Sequence, residues 1–234
     1  MAENRLTNVR KVDAKIRLRG FVTEILPYII MVMIFFVSSG SLDWTMAWAF
    51  LIINFVFNLF AMLILSPPEI EKRWESTKLA KKWDLAIMAP MGIFVFVSIL
   101  VAGLDMRFEW SAKAPLLIQV TAMVSYIIGY VLYVWAMASN KFFSHIAHIQ
   151  GESHTVAMGG PYRYVRHPGY LGSIIYLFAQ PLMLGSILAL APMAVSLILM
   201  IARTSLEDRM LQEELMGYKE YVKHVRYRLL PGIW

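Results

Sequence analysis

The sequence predicts an all-α protein: a polytopic membrane bundle of about six transmembrane helices, including a C-terminal helical hairpin, followed by an amphipathic C-terminal helix. Three observations carry this expectation. Hydrophobic residues make up 59% of the 234 positions and charged ones only 16%, a balance outside the range of ordinary soluble domains. Long runs carry no charge at all. And 20 of the 22 lysines and arginines fall in alternate connecting segments, as they do when a chain crosses a bilayer back and forth.

The N-terminal arm comes first. Arg5, Arg10, Lys11, Lys15, Arg17 and Arg19 alternate with Leu6, Val9, Val12 and Ile16. The spacing suits either a short basic helix lying on anionic lipid or a solvated topology signal. No small-residue cleavage site follows, so the first apolar run reads as a retained span. Charge-free runs then occupy 25–42, 44–68, 85–104 and 114–140, each close to the ~20 residues that cross a ~30 Å core. Trp44, Trp48, Trp74, Trp83 and Trp110 sit at or near their ends, where amphipathic rings favour the interface.

A fifth run, 167–202, holds no Asp, Glu, Lys or Arg and is too long for one span. Leu184-Gly185-Ser186, shortly after Pro181, offers a turn, which predicts a hairpin with arms 170–184 and 187–202. At ~1.5 Å per residue such arms reach only ~24 Å, so the tip needs cover from neighbouring helices. The loop 67–84 has mixed charge and reads as a solvated connector. After Arg203, Leu206, Met210, Leu211, Leu215, Tyr218 and Val222 recur at helical steps among charges, an amphipathic helix continuing from the last span or lying against it. Arg226 to Trp234 reads as an extended tail. The distribution of basic residues places both termini and the two long loops in the cytoplasm, and divides the chain into a scaffold, 1–138, and a cytoplasm-facing region, 139–234.

Composition also excludes. With no cysteine, disulfides and thiolate chemistry are out. The net charge of +6 is accounted for by topology, so membrane lipids are expected as partners and nucleic acid is not.

Reactive residues collect on the cytoplasmic side: His145 and His148, His154-Thr155, the stretch 159–172, and Arg203 with Glu207. Arg203 and Glu207 share a helix face at i, i+4. They either pair with each other or present a carboxylate-binding arginine. Arg163 and Arg166 read by themselves as positive-inside residues. The histidines lack the acidic partners of a metal centre, so no metal is expected.

Gly160-Pro161-Tyr162-Arg163-Tyr164-Val165-Arg166-His167-Pro168-Gly169-Tyr170 resembles the signature of the isoprenylcysteine carboxyl methyltransferase family, whose wider relatives include membrane phospholipid N-methyltransferases. His154-Thr155-Val156-Ala157, Arg203-x-x-x-Glu207, Gly217-Tyr218-x-x-Tyr221 and Arg228-Leu-Leu-Pro agree in order and spacing. The resemblance covers roughly 143–234. It implies an integral-membrane methyltransferase using S-adenosyl-L-methionine without a Rossmann sheet. By the same resemblance His154, Thr155, Val156, Ala157, Tyr162, His167, Pro168, Gly169, Tyr170 and Glu207 fall on cofactor contacts, joined by either His148 or Gln150. Arg203 falls on the arginine that holds the acceptor carboxylate, and Gly169 stands where the family usually has Ser. Arg203 and Glu207 are thus the expected catalytic pair, and a lipophilic acceptor entering from the bilayer is the expected partner. A carboxylate acceptor needs no general base, being ionised at neutral pH. Lipid-amine N-methylation, a sterol-reductase-like NADPH-dependent oxidoreductase and a non-catalytic membrane binding protein are the alternatives.

Overall fold

The computed structural model describes residues 26, 28–64, 80–151 and 153–234. The N-terminal arm and most of the loop 67–84, Trp74 included, lie outside the described residues. Among those described, the regular structure is helical: α1 (Tyr28–Ser39), α2 (Thr45–Ile64), α3 (Lys82–Phe108), α4 (Leu116–Ala138), α5 (Pro168–Met183), α6 (Leu190–Glu214) and α7 (Tyr218–His224). A 3-10 turn, Gly160–Arg163, precedes α5.

Three of these helices, α3, α4 and α6, are long and apolar enough to cross a membrane. Their outer faces carry bare aliphatic side chains, such as Leu117 at 78% exposure and Ile198 at 65%. In water such faces would be a liability; against lipid they need no cover. The interior is instead small and polar at the crossings.

α4 and α5 meet through glycines. A Cβ on Gly172 would come within 2.6 Å of the Gly129 carbonyl oxygen and 2.7 Å of the Tyr133 nitrogen. One on Gly129 would meet the Tyr176 nitrogen at 2.7 Å and the Gly172 oxygen at 2.8 Å. Backbone thus lies on backbone, the close approach that small residues permit between apolar helices. α2 joins α4 through the Tyr126 hydroxyl, which donates to Asn54 Oδ1 at 2.9 Å.

α3 and α6 run antiparallel along a seam of polar ties. Ser98 Oγ donates to the Ala189 carbonyl at 2.8 Å, and Ser196 Oγ to the Met91 carbonyl at 3.1 Å. Arg203 Nε donates to Asp84 Oδ1 at 2.6 Å, and Lys81 Nζ to Glu214 Oε1 at 2.7 Å. The seam therefore runs from the hairpin tip to the far end of α6.

The hairpin turn falls where the sequence placed it. Gly185 has φ +87°, open to glycine at little cost; Ser186 N–H caps Pro181 O at 3.0 Å, and Ala114 N–H docks the tip on the start of α4 through Gly185 O at 2.9 Å. The first arm is short, 16 residues. Of the two readings of the stretch after Arg203, continuation holds: α6 runs on to Glu214 as one rod, because no breaker interrupts 193–214. Three expectations are corrected. The amphipathic stretch is broken at Gly217, whose φ of +82° turns the chain into α7. And the tail is not extended. Arg228 and Leu229 N–H both donate to the Trp234 carbonyl, at 2.9 and 3.1 Å, which curls the segment on itself. Trp44, grouped with the interfacial rings, is buried edge-on against Phe35 at 5.5 Å.

Candidate functional site

The segment between α4 and α5 has little regular structure, so its side chains are placed by turns and by what closes over them. Gly160 has φ +54°, and a Cβ there would reach Ser139 Oγ at 2.3 Å. The entry to the 3-10 turn therefore has room only for glycine. Tyr162, in the turn, is buried; its hydroxyl accepts from Asn140 Nδ2 at 3.4 Å, and its carbonyl accepts from the Tyr221 hydroxyl at 2.6 Å. Pro168 opens α5 at a position where a missing N–H costs nothing.

The turn, α5, α6 and α7 enclose a cavity of about 240 Å³, well above the ~30 Å³ share of one liquid water, so it admits an organic ligand. His148, His154, Thr155, Val156, Ala157, Tyr162, His167, Gly169, Tyr170, Arg203 and Glu207 all line it. Pro168 does not; it is fully buried as helix-start packing. Gln150 does not either, and its side chain donates to the Phe142 carbonyl at 2.6 Å while its N–H donates to His154 Nδ1 at 3.1 Å. Met88, Met91, Tyr133, Tyr176 and Met200 supply an apolar flank, so the cavity also draws on the part of the chain read as scaffold.

Two buried carboxylates organise the wall. Asp208, with no exposed surface, accepts Arg166 Nε at 2.8 Å and Nη2 at 3.1 Å. It also takes His167 Nε2 at 3.2 Å, the Tyr218 hydroxyl at 3.0 Å, Arg228 Nε at 2.9 Å and Gln212 Nε2 at 2.9 Å. Arg166 is thereby a buried structural cation, not the free topology signal that the sequence suggested. Its Nη1 further donates to the carbonyls of Val225 and Arg226 at 2.9 and 2.6 Å. Backbone bonds from Arg166 N–H to Tyr227 O and from His167 N–H to Arg228 O, both 2.9 Å, strap the C-terminal segment to the same wall. Arg163, by contrast, is exposed.

The second carboxylate is Asp84, also fully buried. It holds Arg203 by two bonds, from Nε at 2.6 Å and Nη2 at 3.2 Å, and accepts the Ala147 N–H at 2.7 Å. Arg203 Nη2 donates in addition to the His145 carbonyl at 2.6 Å. Arg203 therefore does not pair with Glu207. Glu207 Oε2 instead accepts the Tyr170 hydroxyl. The Tyr170 ring stacks on His167 at 5.7 Å and lies under the Arg203 guanidinium at 5.1 Å.

Burial raises the phenols of Tyr162, Tyr218 and Tyr221, Tyr218 also through the adjacent Asp208, so all three stay neutral donors at physiological pH. The cluster can thus stack a planar ring, face a cation with aromatic surface and a carboxylate, and offer one arginine. Among the described residues no group of three His, Cys, Asp or Glu could hold a metal ion.

Sequence reasoning missed Asp84, Asp208 and Tyr218. An aspartate at the edge of an otherwise apolar run is itself a signal, since such residues are costly there unless paired, and Asp84 stands directly before the charge-free run 85–104. Gly169 also gains a reason. A Cβ there would meet Phe143 Cε2 at 2.8 Å, so the Phe143 ring fills the room a side chain would take.

Compared with known proteins, residues 120–213 match the model of the isoprenylcysteine carboxyl methyltransferase (ICMT) family. The match runs from α4 to the end of α6 and leaves out Asp84, α7 and the tail. Among curated proteins no match is found.

Proposed function

From the match of residues 120–213 to the isoprenylcysteine carboxyl methyltransferase family we propose that this chain is a membrane methyltransferase that uses S-adenosyl-L-methionine to methylate a lipophilic acceptor, most simply a carboxylate of the isoprenylcysteine kind. The observation that carries the reading is the convergence of Tyr162, His167, Tyr170, Arg203 and Glu207 on one cavity with an apolar flank. The donor set fits the cofactor: Tyr170, Tyr162 and Glu207 present aromatic faces and a carboxylate suited to a sulfonium and an amino group, and His154 and Thr155 add polar edges.

When bound, the cofactor supplies an activated methyl group. The chain's own part is positioning and exclusion of water, which can contribute on the order of 7–11 kcal/mol to the barrier. Glu207 and Tyr170 hold the polar end of the pocket, His167 is kept in one orientation by Asp208, and Arg203 meets the acceptor head. The apolar flank of Met88, Met91 and Met200 receives the acceptor's tail from the bilayer. Both termini and the cavity face the cytoplasm, and six helices cross the membrane, two of them forming the short hairpin.

A second reading, N-methylation of a lipid amine, draws support from one feature. Arg203's two-nitrogen edge is already taken by Asp84, and Glu207 is a carboxylate that lines the cavity without being paired to Arg203. A neutral amine would then use Glu207 as proton acceptor. The deciding experiment measures transfer of radiolabelled methyl from S-adenosyl-L-methionine by detergent-solubilised protein to prenylcysteine analogues and to lipid amines, beside NADPH binding. Transfer to the carboxylates supports the leading reading and transfer to amines the second. NADPH binding without methyl transfer overturns both.

A further inference from the structure

Asp84 lies outside the family-matched segment and at the start of α3, yet it touches the arginine most central to the cavity. The contact has a particular geometry. An arginine receives an incoming carboxylate best through two parallel N–H bonds. Here Nε and Nη2 make those bonds to Asp84 Oδ1 and Oδ2, at 2.6 and 3.2 Å. Nη2 is committed a second time, to the His145 carbonyl at 2.6 Å. Only Nη1 takes no part in these bonds. The chain's own carboxylate therefore sits where an acceptor carboxylate would bind side-on.

Asp84 is firmly kept there. It is fully buried, accepts the Ala147 N–H at 2.7 Å, and begins a helix held to α6 by Ser98 and Lys81 at other points along the seam. Arg203 is equally buried, at 4% exposure, so its charge needs a counter-ion whether or not a ligand is present.

Resting on the reading of this cavity as the methyl-transfer site, we propose that Asp84 is a specificity-determining residue: it occupies the two-nitrogen edge of Arg203, so that the site meets the acceptor head with the single nitrogen Nη1 and discriminates only weakly between a free carboxylate and an uncharged head such as its methyl ester. Asp84 competes with the acceptor for the arginine. A site of this kind gives up an esterified product about as readily as it takes up the acid.

The test is binding, independent of turnover. Kd is measured for a dansylated long-chain carboxylic acid and for its methyl ester, on full-length protein in detergent. Wild type is expected to prefer the acid by about 10-fold, the low end of what one charge-assisted bond contributes. Asp84→Asn, which frees the guanidinium edge and removes the competing charge, is expected to raise that preference by at least about 10-fold. Ser98→Ala and Lys81→Ala, which cut other α3–α6 ties without touching Arg203, are expected to leave it unchanged. An unchanged or reduced preference in Asp84→Asn overturns the proposal, as does an equal rise in the two control variants. If Asp84→Asn does not survive extraction, wild type still decides, because a preference above about 100-fold means that the arginine edge is open to the acid. If wild type binds neither probe, the lipophilic-acceptor reading falls and this one with it. Normal probe binding without methyl transfer counts against the proposed reaction alone.

Discussion

Arg166 and Asp208 form a two-bonded ion pair, at 2.8 and 3.1 Å, in which both side chains are almost wholly withdrawn from solvent. Breaking such a pair from one side leaves an uncompensated buried charge, at a cost of about 3–5 kcal/mol. Asp208→Asn is therefore expected to lower the unfolding midpoint in detergent by several degrees. Arg228→Ala removes a bond from a partly exposed partner and is expected to cost much less. Equal losses in the two variants would mean that burial is not what makes Asp208 matter.

Tyr170→Phe keeps the ring that stacks on His167 and removes only the hydroxyl that donates to Glu207. Losing one bond to a charged group amounts to about 1.5–3 kcal/mol. The expected result is an S-adenosyl-L-methionine Kd raised by roughly 10-fold or more, with the fold intact by circular dichroism. A Kd within twofold of wild type would mean that the Tyr170 hydroxyl does not set Glu207 for the cofactor.

The glycine crossing of α4 and α5 makes a sharper prediction. Gly172→Ala would set a methyl group 2.6 Å from the Gly129 oxygen, and neither backbone can rotate away as a side chain could. Overpacking of this kind costs about 1–3 kcal/mol. Gly92→Ala, where a Cβ meets nothing within 4 Å, is the matched control, and thermal unfolding of the two separates crossing geometry from glycine flexibility.

The raised phenols of Tyr162, Tyr218 and Tyr221 set a high-pH limit. A group whose folded pKa lies above its unfolded value contributes stability that is complete below the unfolded pKa, near 10 for tyrosine. That contribution is lost as pH rises towards the folded value. Unfolding midpoints are expected to hold steady up to about pH 10 and then fall, with phenolate absorbance at 295 nm appearing together with unfolding. Three phenolates titrating before any loss of structure would contradict their burial.

Much of the helical plan was legible because a bilayer forces it: charge-free runs became α1 to α6, and Gly185 made the turn. The cavity residues were legible through His154 to Ala157 and the 160–170 stretch, whose types are unusual together. Asp84 and Asp208 were not. Each sits among ordinary charges in sequence, and its value arises only from partners brought in by tertiary packing, Arg203 from 119 positions away and Arg166 from 42. Long-range pairing leaves no local period. Whether α6 runs on past Arg203 was not legible for a related reason, since an amphipathic pattern is the same whether a helix continues or restarts.

The strap between residues 166–167 and 227–228 fixes an order of events during synthesis. α5 and α6 can enter the bilayer while the ribosome is still decoding the tail, but the N–H groups of Arg166 and His167 find their acceptors only when Tyr227 and Arg228 have emerged. This wall of the cavity is thus the last part of the molecule to mature. A nascent chain halted before residue 227 would be helical but would lack the strap that closes this wall.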